Sequence, residues 1–250
     1  MNKYYFLLIS AMILLMSSCG SYKNIPYYQD LERNGPTVDQ VKNYSPLTIR
    51  PNDILAIKVS SRTPESSSIF SYEPNNQQNA IPGYQVDTKG NVHLPVIGTL
   101  KVEGLTTTEL QEKMNVALLK FYNDPVVNVR ILNFKVSVYG DVERPNVYTL
   151  QNERTTITQA LSLAGDLNIT AMRKSIILVR EEDGKRQFIP IDLTSKKVFE
   201  SPYYYVRNND EIYVQPDRTK YATVDRGYRT ATLVLSGLSI IAIVLSNIYR

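Results

Sequence analysis

Few side chains in this sequence are equipped for chemistry. Its 250 residues include one cysteine, Cys19, and one histidine, His93. A thiol is the readiest side-chain nucleophile and an imidazole the readiest proton carrier near neutral pH, so single copies leave little room for nucleophile–base pairs. His93 sits in Val92-His93-Leu94-Pro95, where a surface or half-buried place in a strand suits it better than proton transfer. No Cys, His, Asp or Glu spacing matches a metal-ligand pattern, and there is no glycine-rich phosphate loop. With 24 Asp and Glu, a carboxylate pair for sugar hydrolysis stays open, because its separation is unreadable in sequence. Tyr203-Tyr204-Tyr205 offers rings to stack on sugars or to pack at a sheet edge. We expect no catalytic residue, no metal and no cofactor. A formal net charge of only +4 gives no electrostatic case for nucleic acid.

The surroundings of Cys19 give that thiol a different task. Lys3 is followed by the apolar run Tyr5–Met16, too short for a comfortable membrane span, and then by Ser17-Ser18-Cys19-Gly20. This resembles the lipobox of bacterial lipoproteins, in which the cysteine is lipidated and the peptide before it removed. Residues 1–18 are then a signal peptide and Cys19 the lipidation site; the alternative is ordinary secretion with an incidental free thiol. No second cysteine exists for an internal disulfide, although the compartment would be oxidising.

At the other end, Ala231–Ile248 carries no charged residue, and as a helix would extend about 27 Å, enough for a thin hydrocarbon core. Arg226, Tyr228 and Arg229 precede it and Tyr249 and Arg250 follow, types that settle at a membrane interface. We read 228–250 as a transmembrane helix in contact with membrane lipid. Thr232, Ser236, Ser239 and Ser246 fall on one face, with Gly237 beside it, and are candidates for helix contact or pore lining. The alternatives are a buried core helix, or a lone anchor whose serines bond back to their own carbonyls.

Between these ends, 19–43 reads as a tether and 61–83 as a long loop or insertion. Strands are expected at 54–59, 84–86, 92–97, 100–102 and 126–131. Thr106-Thr107-Thr108-Glu109 has capping-box spacing and opens a helix with Leu110, Met114, Ala117, Leu118 and Phe121 on one stripe; Leu118 and Phe121 should be buried. A second unit repeats the pattern. Strands are expected at 135–142, 147–150, 175–180, 187–193, 203–206 and 211–214, and Thr156-Ile157-Thr158-Gln159 opens a shorter helix ending at Gly165. Arg50-Pro51-Asn52-Asp53 and Arg207-Asn208-Asn209-Asp210 echo one another just ahead of strands; side-chain caps on two similar turns explain both. The class is α+β: two helices on mostly antiparallel strands.

The order of elements resembles the polysaccharide-export outer-membrane lipoproteins. The likeness runs through Pro51-Asn52-Asp53-Ile54-Leu55, Val86–Gly98, Val102-Glu103-Gly104-Leu105-Thr106 and Asp124–Val129. It continues through Val138-Tyr139-Gly140-Asp141-Val142, Pro145, Tyr148, Ala160, Ala164-Gly165 and Asn209–Val214. The resemblance implies a polysaccharide-export domain at 44–133 and a β-grasp (SLBB-like) domain at 134–217, both periplasmic, ahead of the membrane helix. It further implies a homo-oligomeric ring in the cell outer membrane that exports capsular or exopolysaccharide, docked on an inner-membrane polysaccharide co-polymerase. Asn52, Asn146 and Asp166 stand where that family usually has glycine, residue types that tolerate left-handed backbone. Two other classes compete: an anchored binding or assembly lipoprotein without a pore, and a carbohydrate-active enzyme.

Overall fold

The computed structural model describes residues 25–41, 44–61, 83–182, 184–221 and 226–248. Cys19 and most of the 61–83 segment lie outside them. Among the described residues ten strands and three α-helices follow in order: β1 Ile54–Ser60, β2 Tyr84–Gln85, β3 Asn91–Leu94, β4 Gly98–Lys101, α1 Thr107–Leu118, β5 Val126–Ile131, β6 Lys135–Gly140, β7 Asn146–Thr149, α2 Ile157–Leu163, β8 Ala171–Glu182, β9 Lys185–Ile191, β10 Glu211–Pro216 and α3 Arg226–Ile248. This is a mixed α and β chain, as the two periodicities require.

In the first unit, β1 lies between β2 and β5, antiparallel to both, while β3 and β4 form a separate hairpin. Alternation decides which face is covered: Val127, Val129 and Ile131 point inward from β5, and Val126 and Arg130 point out. Helix α1 opens with the expected capping box, Thr106 and Glu109 each satisfying the other's backbone N–H. Thr107, Leu110, Met114 and Leu118 are its buried stripe. Phe121 departs from expectation and is 57% exposed. The helix ends with Leu118 and the chain tightens, Phe121 N–H donating to Leu118 O, so the i+3 spacing no longer carries. Tyr122, 8% exposed, takes the covered place instead. Leu118 has no exposed surface, and Leu118→Ala is expected to cost about 2–5 kcal/mol through lost transfer and a residual cavity. Chemical unfolding of the full chain in detergent checks this; a loss under about 1 kcal/mol contradicts it.

The second unit is a five-stranded sheet in the order β7-β6-β10-β8-β9. All neighbours are antiparallel except the central pair β6 and β10. Helix α2 begins with a second reciprocal capping box, Thr156 with Gln159. It ends with Gly165 N–H on Ser162 O and Asp166 N–H on Leu161 O, the doubled Schellman closure. Gly165 and Asp166 both have positive φ, as does Asn52. Asn146 does not need it: extended, it opens β7 opposite Val138. Tyr203–Val206 forms no strand, only a single antiparallel bridge of Tyr205 to Thr156 at the start of α2. The capped helix turns away after one pair, so a ladder has nothing to extend along.

Buried apolar residues of the two units form one cluster, from Ile49 and Leu55 through Phe134 to Ile212 and Val214. Residues 25–41 contain no helix or strand, yet their start is docked on the second unit. Tyr28 and Gln29 N–H donate to Leu193 and Thr194 carbonyls, and Asp30 accepts from Ser195 Oγ and Lys196 N–H.

Candidate functional site

Helix α3 presents its apolar side chains to the outside of the described structure. Thr230–Ile248 is long and apolar enough to cross a membrane, and none of it is buried against the rest of the chain. Leu233, Ile240, Ile241, Val244 and Ile248 are all at least half exposed. A contiguous apolar surface of this kind marks a lipid or protein contact. Thr232, Ser236 and Ser239 are exposed on it, and so is Ser246. Ser236 Oγ donates to Thr232 O at 2.8 Å and Ser239 Oγ to Ser236 O at 2.7 Å. These hydroxyls are therefore satisfied within the helix, leaving a shallow face of small residues.

The approach to this helix is fastened to the second unit. Asp217 N–H donates to Thr170 O, and Lys220 Nζ reaches Asp141 at 2.6 Å. Asp141 has no exposed side-chain surface and also accepts from Thr170 Oγ1 and Asn168 Nδ2. Burial pushes its carboxyl up, but the Lys220 bond and charge and the two neutral donors outweigh that and hold it below its ordinary value.

The echoed turns prove to be the same turn built twice and set against each other. Arg50 N–H donates to Asp53 Oδ2 at 2.8 Å, and Arg207 N–H to Asp210 Oδ2 at 2.7 Å. Asn52 and Asn209 supply the left-handed residue, at φ +70° and +65°. Asn208 Nδ2 crosses to Asp53 Oδ1, and both arginines converge on Glu182 Oε1 at 2.6 Å. Burial alone pushes the Glu182 carboxyl up, yet the Arg50 hydrogen bond and the charges of Arg207 and Arg50 hold it below its ordinary value. Asp53, more deeply covered, is raised by burial despite the bonds from Arg50 and Asn208. Beside this clasp is an open cleft of about 620 Å³, walled by Arg50 and Glu103 of the first unit and Glu181, Lys185 and Arg186 of the second. No sequence signal pointed to Glu182, since its two arginines come from segments far apart in the chain.

The tyrosine run joins an aromatic ribbon. Tyr28 meets Phe199, Phe199 meets Tyr204, Tyr204 meets Tyr205, and Tyr205 meets Tyr44, with ring centroids 4.8–5.4 Å apart. Arg154 lies over Tyr44 at 4.6 Å and donates to Tyr205 Oη. These rings hold the tether and the start of the first unit against the second, which is packing. His93 is on the exposed face of β3, its Nδ1 2.9 Å from Thr99 Oγ1 and its Nε2 3.8 Å from Asp87. Among the described residues no group of three or more His, Cys, Asp or Glu is placed to hold a metal.

The comparisons with known proteins agree with this layout. A polysaccharide biosynthesis/export protein model matches residues 41–132, and an SLBB domain model matches 135–190. The EPS I polysaccharide export outer membrane protein EpsA of Ralstonia solanacearum is 29% identical over 139 residues, 54% of this chain and 37% of that protein. Its counterpart in Ralstonia nicotianae is 25% identical over 217 residues, 77% of this chain and 57% of the relative. The exopolysaccharide production protein ExoF of Rhizobium meliloti is 27% identical over 149 residues, 48% of this chain and 35% of ExoF. The chain thus spans about a third to somewhat over half the length of these relatives. The chain thus carries a polysaccharide biosynthesis/export domain match followed by an SLBB domain match, together more than half of its length, in the order that the resemblance read from the sequence implies.

Proposed function

We propose that this protein is a subunit of an oligomeric outer-membrane channel that exports capsular or exopolysaccharide. The observation that carries the reading is α3: a helix long and apolar enough to cross a membrane, none of it buried among the described residues, following an export and SLBB body. One helix encloses nothing, so a path for a hydrated polymer requires several copies in a closed ring. In such a ring the Thr232, Ser236, Ser239 and Ser246 face turns toward neighbouring helices or the lumen, and Leu233, Ile240, Ile241, Val244 and Ile248 meet lipid or pack between helices. The body, residues 44–133 and 134–217, stands in the periplasm, lipid at Cys19 provides the second attachment, and an inner-membrane polysaccharide co-polymerase docks beneath. The protein acts by shape and passage and performs no catalysis.

The internally satisfied serines favour one alternative, an anchored binding or assembly lipoprotein without a pore, because a lone helix needs its hydroxyls bonded in this way. Removing 226–250 separates the two. On the channel reading, surface polysaccharide is lost while a folded, lipidated body remains; normal export from such cells would overturn it. Particle images of the full chain in detergent should show rings, and a uniform monomer counts for the anchor.

A further inference from the structure

The two segments that lead toward the membrane attachments leave the second unit at one place. Ile25, near the start of the described chain, and Asp217 and Arg218, on the way to α3, line the same cavity of about 390 Å³. From Tyr221, three residues past Arg218, to the start of α3 the chain spans five residues, at most about 18 Å. This cavity therefore lies close to the surface in which α3 is embedded.

Its lining is cationic. Arg173, Lys174 and Arg218 contribute three positive charges against the single carboxylate of Asp217, which accepts from Thr219 N–H. Among the described residues none of the three cations forms an ion pair. Arg173 is the telling one, being 6% exposed. Its Nη1 and Nη2 donate to the carbonyls of Ala171 and Leu167, Tyr27 lies 5.8 Å from it, and its Nε has no acceptor. Carbonyls and a ring face supply dipoles but no counter-charge, and a covered guanidinium without an anion is costly. The pocket is thus complementary to an anion. It also carries apolar groups: Met172 and Ile169 line it, 37% and 69% exposed. Cations beside exposed apolar side chains suit an amphiphile better than a sugar, which is polar throughout.

We propose that this pocket binds the phosphate headgroup of an anionic lipid in the leaflet beside the body, with Arg173, Lys174 and Arg218 around the phosphate and Met172 and Ile169 against the upper acyl chain. The proposal rests on the membrane reading of α3 and gives that helix a fixed depth and orientation. Loss of export on removing α3 is scored in cells, so either result can fail without the other.

The test uses the full chain in neutral-detergent micelles, with bound lipid counted by native mass spectrometry as phosphatidylglycerol or phosphatidylcholine is titrated in. One saturable phosphatidylglycerol per chain is expected, with phosphatidylcholine well behind. Lys174 and Arg218 are exposed, so Lys174→Glu with Arg218→Glu should leave the fold intact by circular dichroism while weakening phosphatidylglycerol binding at least about tenfold. Lys185→Glu with Lys197→Glu, an equal charge change at exposed sites outside the cavity, should leave it unchanged. Equal binding of both lipids overturns the proposal, as does an unchanged affinity in the pocket variant or an equal loss in the control. Inorganic phosphate binding as tightly as the lipid would replace the lipid by a free anion. Trigalacturonate displacing the lipid would make the pocket a site for acidic polymer.

Discussion

Asp210→Ala should cost about 3–5 kcal/mol, because it strands a covered guanidinium. Arg180 and Asp210 are 3% and 1% exposed and pair through two bonds, Nε to Oδ1 at 2.9 Å and Nη2 to Oδ2 at 2.7 Å. Arg180 Nη2 also donates to Tyr205 O, and Asp210 also receives Arg207 N–H. One carboxylate therefore fixes β8, the turn before β10 and, through Arg180, Tyr205 of the aromatic ribbon. Removing it leaves the charge with a single carbonyl acceptor and releases the turn that aims Arg207 at Glu182. Replacing both partners, Arg180→Met with Asp210→Leu, removes the uncompensated charge and should recover much of the loss. Chemical unfolding of the full chain in detergent, followed by tyrosine fluorescence, gives both numbers. A single-variant loss under about 1 kcal/mol, or a double variant worse than either single, would show that the pair does not carry this weight.

What the sequence made legible was local. Both capping boxes, the Gly165 closure, the alternation of β5 and the paired Asn-Asp turns are set by residues within a few positions of each other, and each appears in the structure as its spacing implies. Phe121 shows where this stops: helical spacing placed it inward, but the end of α1 is set by how the chain turns into β5. The meeting of the two Arg-Asn-Asp turns at Glu182 is a tertiary fact, invisible to any window along the chain. The same holds for the basic pocket, whose residues come from the tether, β8 and the exit to α3. Arg173 in particular falls outside the strand expected at 175–180, whereas β8 begins at Ala171 and its alternation turns Arg173 to the covered side. The C-terminal helix is the opposite case. Its composition alone marks it as long and apolar enough to cross a membrane, but on the channel reading proposed above its hydroxyl face meets other copies, which one sequence does not display.

Gly140→Ala is the second large effect expected, and it tests whether the central parallel pair supports the approach to α3. Gly140 ends β6 at φ +100°, opposite Val214 of β10. A Cβ there would stand 2.1 Å from Val214 O and within 3.0 Å of its carbonyl carbon and nitrogen. All three are backbone atoms, so no side chain can rotate away. The strained φ costs about 1–2 kcal/mol and the forced separation of strands about 1–3 kcal/mol more. Relief by moving β10 breaks the Asp141 N–H bond to Val214 O, and with it the placing of Asp141 against Lys220 and Thr170. That contact fastens the segment entering α3, so the damage should reach the helix as early proteolysis between the body and 226–248. Gly184→Ala separates the two causes. It has φ +69° with nothing near its Cβ, so it bears the conformational cost without the clash. Gly140→Ala should therefore unfold at clearly lower denaturant than Gly184→Ala and lose surface polysaccharide, while Gly184→Ala keeps it. Equal unfolding midpoints would mean that β6 and β10 can part at Gly140 without consequence, and that the body and the helix are not coupled through Asp141.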